Sequence, residues 1–276
     1  MLAAGFAPTA KAQDGGVSAN LVAYHQRADG SQLLAFDITV QLPGAVTAFV
    51  GDVVRWDGTA FSKVFDAAAR GIPRGTAVDA VSERPSGHLL LSFDVPVSLG
   101  TTHVSPEDLV EWDGTSFSLV YDGSAAGIPA GTNLWAVHAR PDGTLLLGFD
   151  ATIALPGGVL ARPDRVVSYA GGTYALVSDG ATRGMTPGMA IDALAEQAGD
   201  LLVSLDVTLT AAGVTVRRED VARFGATMPS VELDGSRALA ERGPEERSYW
   251  TLLISLLIVL GLLAIIGLLH FRKRWP

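Results

Sequence analysis

Cysteine is absent from the 276 residues, which excludes disulfides, zinc–thiolate centres and thiol nucleophiles. Charged residues are scarce at 18 %, aromatics make up only 7 %, and the net charge of −9 leaves no basic surplus. A nucleic-acid binder needs a basic face to displace counterions from phosphate, so the balance argues against that class. Also missing are HExxH, GxSxG, a P-loop and a Rossmann glycine fingerprint in a suitable context. What the chain has instead is 48 % hydrophobic residues, 31 glycines and 14 prolines. That is too apolar for disorder and leans toward turn-rich β structure.

The two ends are distinctive. Residues 250–269 (WTLLISLLIVLGLLAIIGLL) carry no charge. As a helix such a run is about 30 Å long, the thickness of a bilayer's hydrocarbon core. Trp250 marks one edge, and Arg272, Lys273 and Arg274 follow within a basic tail at 270–276. The positive-inside rule then keeps that tail cytoplasmic and places everything upstream outside, periplasmic or on the cell surface. Residues 1–12 (MLAAGFAPTAKA) read as the remnant of a signal peptide whose basic start lies upstream, ending in an A-x-A signature. Residues 244–249 form a short stalk. Pro244-Glu245 ahead of the span and the arginine-rich end resemble PEP-CTERM tails, although Glu246 stands where that motif has proline. The resemblance implies a bacterial surface protein handled by an exosortase, while the run itself reads more plainly as a permanent anchor.

Between the ends one unit is written four times. G-x-LLLSFD recurs as Gly30-SQLLAFD, Gly87-HLLLSFD, Gly143-TLLLGFD and Gly199-DLLVSLD. A second block opens at Asp52, Asp108, Asp164 and Asp220, and a third begins Gly71-IPRGTAVDAV, Gly127-IPAGTNLWAV and Gly184-MTPGMAIDAL. Four repeats of about 56 residues, 20–75, 76–131, 132–188 and 189–243, fill the domain. Within the second, strands are expected at 78–83, 88–97, 108–112 and 117–121, with Asp113-Gly114 as a tight hairpin turn. A four-stranded unit this small cannot bury both faces alone, and four of them predict a closed all-β, four-bladed propeller. An open solenoid, or two chains in a larger ring, is the competing closure. Val78-Asp79-Ala80 and Ile191-Asp192-Ala193 resemble the innermost-strand Asp-Ala pair of hemopexin-like propellers; Val22-Ala23 and Trp135-Ala136 depart from it.

Candidate functional residues follow from the repeat. Asp37, Asp94, Asp150 and Asp206 would form a ring of carboxylates, hard oxygen ligands suited to a structural Ca²⁺. Repetition in every unit favours turn capping instead. Trp56, Trp112 and Tyr169 recur before the hairpin turn, where aromatics either pack a blade or stack on sugars. Trp135 stands where two units have Asp79 and Asp192, which makes it the stronger ligand contact. His25 and His138 share a repeat position with Ser82 and Ala195, a pattern that reads as tolerance. Glu83, Glu107 and Glu111 are the carboxylates available for glycoside hydrolysis. The expectation is an exported, membrane-anchored envelope protein that binds a protein or glycan. An envelope carbohydrate-active hydrolase or lyase using carboxylates in the propeller mouth is the competing class.

Overall fold

The computed structural model describes residues 19–236 except 212 and 226–229. It divides into a unit Met1–Ala240 and a second unit Glu241–Pro276 that lies outside the described residues. The expected leader at 1–12, stalk at 244–249, span at 250–269 and basic tail, with Trp250, Arg272, Lys273 and Arg274, therefore fall outside them. Among the described residues no helix is long and apolar enough to cross a membrane.

Four antiparallel four-stranded sheets account for the repeats. The first blade runs Leu21–Gln26, Gln32–Phe36, Val53–Trp56, Phe61–Phe65. The second runs Val78–Glu83, Leu89–Phe93, Leu109–Trp112, Phe117–Tyr121. The third is Leu134–Ala139, Leu145–Phe149, Arg165–Ala170, Thr173–Asp179, and the fourth Ile191–Gln197, Asp200–Leu205, Val221–Phe224, Ser230–Leu233. In each, the first strand is innermost and meets the innermost strands of both neighbours, the fourth blade meeting the first.

One backbone hydrogen bond repeats at every junction. Val78 N–H donates to Val50 O (3.1 Å), Leu134 to Pro106 (3.1 Å) and Ile191 to Pro163 (2.9 Å). The fourth bond of the series runs from Leu21 N–H back to Arg218 O (3.2 Å), so the chain closes on itself by the rule that joins its other blades. This is a complete four-bladed ring, which removes the solenoid and the two-chain ring.

The second strands show how the ring is packed. Alternation in LLLSF suggests one bulky face and one lesser face, yet all five residues of Leu89–Phe93 are buried. Leu89, Leu91 and Phe93 pack toward the first blade, whereas Leu90 packs toward the third. Each blade is thus covered on both sides, and the core is four separate layers between successive blades. The small positions Ala35, Ser92, Gly148 and Ser204 let the next innermost strand approach. Ser92 Oγ donates to Leu134 O (2.8 Å) and Ser204 Oγ to Leu21 O (2.6 Å).

Two expectations are corrected. The strand expected at 88–97 ends at Phe93, and the loop after it is a two-stranded hairpin in every blade, Val97–Leu99 with Thr102–Val104 in the second. Buried Val97, Leu99 and Val104 alternate with exposed residues there, a period-two signal too short to stand out. The turn at Asp113-Gly114 is longer than a two-residue hairpin. Trp112 pairs with Phe117, only Gly114 takes positive φ, and Asp113 Oδ1 accepts Thr115 and Ser116 N–H. Outer strands bulge at Val64, Val120, Val177 and Glu232, which twists the free edges out of flat register.

A small residue one or two positions after each outer strand runs against the loop before the third strand. A Cβ built on Gly123 would lie 2.3 Å from Glu107 O. In the first blade the small residue has changed sides, with Ala67 facing Gly51. Gly123→Ala is expected to destabilise the domain by about 1–3 kcal/mol through overpacking, read as a lower urea midpoint at unchanged slope.

Candidate functional site

Each innermost strand carries one extra residue against its neighbour: Val22, Asp79, Trp135 and Asp192. A bulge bends the strand and re-aims that side chain, so the fold gives these four positions a common special geometry. They lie near the end of the ring where the innermost strands begin, here termed the leading face.

Asp79 and Asp192 are 8 % and 5 % exposed. Asp79 accepts from Asn133 Nδ2 of the third blade, and Asp192 from Asn20 Nδ2 of the first, the latter bond spanning the ring closure. Burial pushes both carboxyls up to about 7. Asp94, Asp192 and Asp150 add to the rise at Asp79, and Asp206 and Asp37 at Asp192, while the asparagine bonds oppose it.

The repeated aspartates have backbone partners. Asp37, Asp94, Asp150 and Asp206 accept through Oδ1 from the N–H of Asn20, Ala77, Asn133 and Ala190 at 2.7–2.8 Å. Their own N–H groups donate to the carbonyls of the same residues, which pins the start of the innermost strand to the end of the second. Asp52, Asp108 and Asp220 brace the loop before the third strand against Ala67, Gly123 and Gly235 N–H. Asp164 differs, holding Arg162 with both oxygens at 2.9 Å. Among the described residues no three histidine, aspartate or glutamate side chains gather in metal-binding geometry.

Trp56, Trp112 and Tyr169 pack across their hairpins on Phe61, Phe117 and Tyr174, with ring centroids 4.5, 4.5 and 4.8 Å apart. Trp112 belongs to the core between the first two blades, and the Arg70 guanidinium lies 4.6 Å from its ring centre. Trp135 lies elsewhere. It lines a cavity of about 510 Å³ between the third and fourth blades, with Met185, Met189, Asp150 and Asp206. Of the three glutamates, Glu83 pairs with Arg27 and Glu111 with Arg84 and His88. Glu107 is buried in a loop, so the three are held in different surroundings.

The opposite, trailing face holds a pair that the repeat pattern undervalued. His25 and His138 stack at 5.8 Å, and both line a cavity of about 650 Å³ with the ion pair Arg27–Glu83 and with Glu196, which pairs with Arg140. Burial, reinforced by the facing imidazole and Arg27, drives His25 down to about 3; burial takes His138 to about 4 against the pull of Glu196. Both are neutral at physiological pH. Asn20, His25 and Arg27 recur 113 residues on as Asn133, His138 and Arg140, while Asp79 and Glu83 recur as Asp192 and Glu196. This double-repeat signal was present in the sequence, but only the ring brings the alternate units face to face across its axis.

No family model matches the chain, and no curated protein matches it. Solved structures it is similar to include the PQQ-bound aldose sugar dehydrogenase of Streptomyces coelicolor, at 11 % identity and TM-score 0.38, covering 82 % of this chain and 84 % of that one. Another is the extracellular domain of a putative hybrid two component system from B. thetaiotaomicron, at 9 % identity and TM-score 0.32, covering 82 % of this chain and 24 % of that one. A nidogen/laminin complex gives 8 % identity and TM-score 0.34, covering 78 % and 65 %. The chain spans about a quarter of the length of the B. thetaiotaomicron domain. At these values the likenesses carry no functional weight, and the propeller assignment rests on the chain's own strand order and closing bond.

Two outcomes follow. Each raised carboxyl costs no stability below about pH 4; the cost grows between about pH 4 and 7, as the unfolded chain ionises first, and is constant above. The double variant Asp79→Asn, Asp192→Asn should therefore melt several degrees above the parent at pH 8 and alongside it at pH 4, measured by circular dichroism. The full chain should melt at the same temperature in calcium and in EDTA, because the repeated aspartates are engaged by backbone N–H groups. A calcium-dependent rise of several degrees would make them ligands.

Proposed function

We propose that the chain is an exported, single-span protein of the bacterial cell envelope, presenting its propeller as a binding or scaffolding module to a protein or glycan partner. The anchor in this reading is 250–269, with Trp250 at the outer interface and Arg272, Lys273 and Arg274 in the cytoplasm. The observation that carries the binding role is Trp135. It occupies the bulge position filled by Val22, Asp79 and Asp192 in the other blades, and it walls an open cavity of about 510 Å³. A packing requirement common to all blades would put the same kind of residue at all four positions. Rigid strand ends carrying an aromatic wall and flanking carboxylates are the usual make-up of a small-ligand or partner site.

Two measurements test this. Deleting 250–276 should move the protein from the membrane fraction to the soluble envelope fraction, and external protease should reach the propeller in intact spheroplasts. Trp135→Val, which installs the first blade's residue, should leave the melting temperature within a few degrees while reducing retention on purified envelope material at least tenfold. Retention equal to the parent's would remove Trp135 from the binding surface.

A further inference from the structure

We propose that the Trp135 cavity takes a small organic cation carrying N–H donors, a primary ammonium or a guanidinium, held between the indole face and the carboxylates of the leading face. This rests on the reading of Trp135 as a ligand contact and specifies the ligand's chemistry.

The lining of the cavity supplies attraction for positive charge and little positive charge of its own. Asp150 and Asp206 line the cavity together with Trp135 and commit Oδ1 to backbone N–H groups. The one cation among the lining residues, Arg162, is consumed by Asp164 through two bonds and by Asp179 through a third. Met185, Met189, Pro163 and Pro187 complete a soft apolar wall. An electron-rich indole flanked by carboxylates in a partly desolvated recess is the arrangement that binds ammonium and guanidinium groups by cation–π and charge together.

The leading face also has acceptors to spare. Outside the lining of the cavity, Asn20 Oδ1 and Asn133 Oδ1 are buried without a donor among the described residues, and Asn20 is only 9 % exposed. Asn133 stands two residues before Trp135. Asp94, Asp192 and Asp150 help raise the buried Asp79 carboxyl, and Asp206 and Asp37 that of Asp192, so carboxylates of several blades act on the same end of the ring. A ligand bringing both positive charge and N–H donors answers this field better than a neutral sugar, which brings acceptors of its own.

The equivalent cavity between the first and second blades serves as an internal control. There the chain supplies the cations itself: Lys63 Nζ lies 5.2 Å and the Arg74 guanidinium 5.4 Å from the centre of the Phe49 ring. That cavity is about 250 Å³, half the size, and Val22 takes the bulge position. At the corresponding places of the third and fourth blades the chain has Leu176 for Lys63, Pro187 for Arg74 and Arg162 for Phe49. The two cations over an aromatic ring are replaced there by one arginine, Arg162, which Asp164 and Asp179 hold.

Calorimetric titration of the full chain with butylguanidinium and with 1,5-diaminopentane tests the assignment, beside tetramethylammonium, N-acetylglucosamine and calcium. Both N–H cations are expected to bind, with affinity falling at least tenfold in Trp135→Val, at least tenfold in Asp206→Asn, and again on raising sodium chloride from about 50 to 500 mM. Trp135→Phe keeps an aromatic face and should retain most of the affinity, which separates loss of the contact from loss of folding. Sugar binding that depends on Trp135, with no response to the cations, would overturn the cation assignment and leave the Trp135 site standing. Equal binding of calcium or tetramethylammonium would overturn the requirement for N–H donors. Silence toward every probe, in parent and variants alike, would overturn both the ligand class and the site.

Discussion

A blade of four short strands has two apolar faces and no means of covering either, and everything else in the domain answers that need. Leu90 and Leu91 are neighbours in sequence but belong to different core layers, one shared with the third blade and one with the first. Such a blade gains its burial only between partners, so the four must be present together and must close. Closure is accomplished at the first residue of each innermost strand, where the bond from Leu21 to Arg218 repeats the geometry of the other three junctions. Asn20 on Asp192 and Ser204 on Leu21 reinforce the same seam with side chains.

Closing a ring on four strand starts gathers carboxylates whether or not chemistry is wanted. The aspartates at 37, 94, 150 and 206 are needed to pin the innermost strands, and the ring places them around one axis. The asparagines at 20 and 133 relieve the buried Asp192 and Asp79 only in part, since burial outweighs the bonds they donate. The result is a leading face with a negative field and a trailing face where neutral histidines stack between ion pairs. The domain is thus electrically different at its two mouths.

The repeat also contains a second period. Alternate units share Asn, His and Arg, or Asp and Glu, so the ring is closer to two pairs of blades than to four equal ones. Trp135 breaks even this symmetry, and so do Leu176 and Pro187 against Lys63 and Arg74. Departures from an internal repeat are informative because the repeat itself states what folding demands at each position. Whatever differs is free of that demand.

The number of blades and most of their strands were legible in the amino-acid order, because they depend on local periodicity and on a unit too small to stand alone. The short hairpin after each second strand was hidden, since three-residue strands leave almost no periodic trace. The stacking of His25 on His138 and the gathering of Asp79, Asp192, Asn20 and Asn133 were decided by tertiary structure. Those residues lie far apart along the chain and meet only because inter-blade burial brings four strand ends to one axis. Sequence spacing can say that positions are equivalent; only closure of the ring sets how near equivalent positions stand, and nearness is what governs their charge, their hydrogen bonds and the cavities between them.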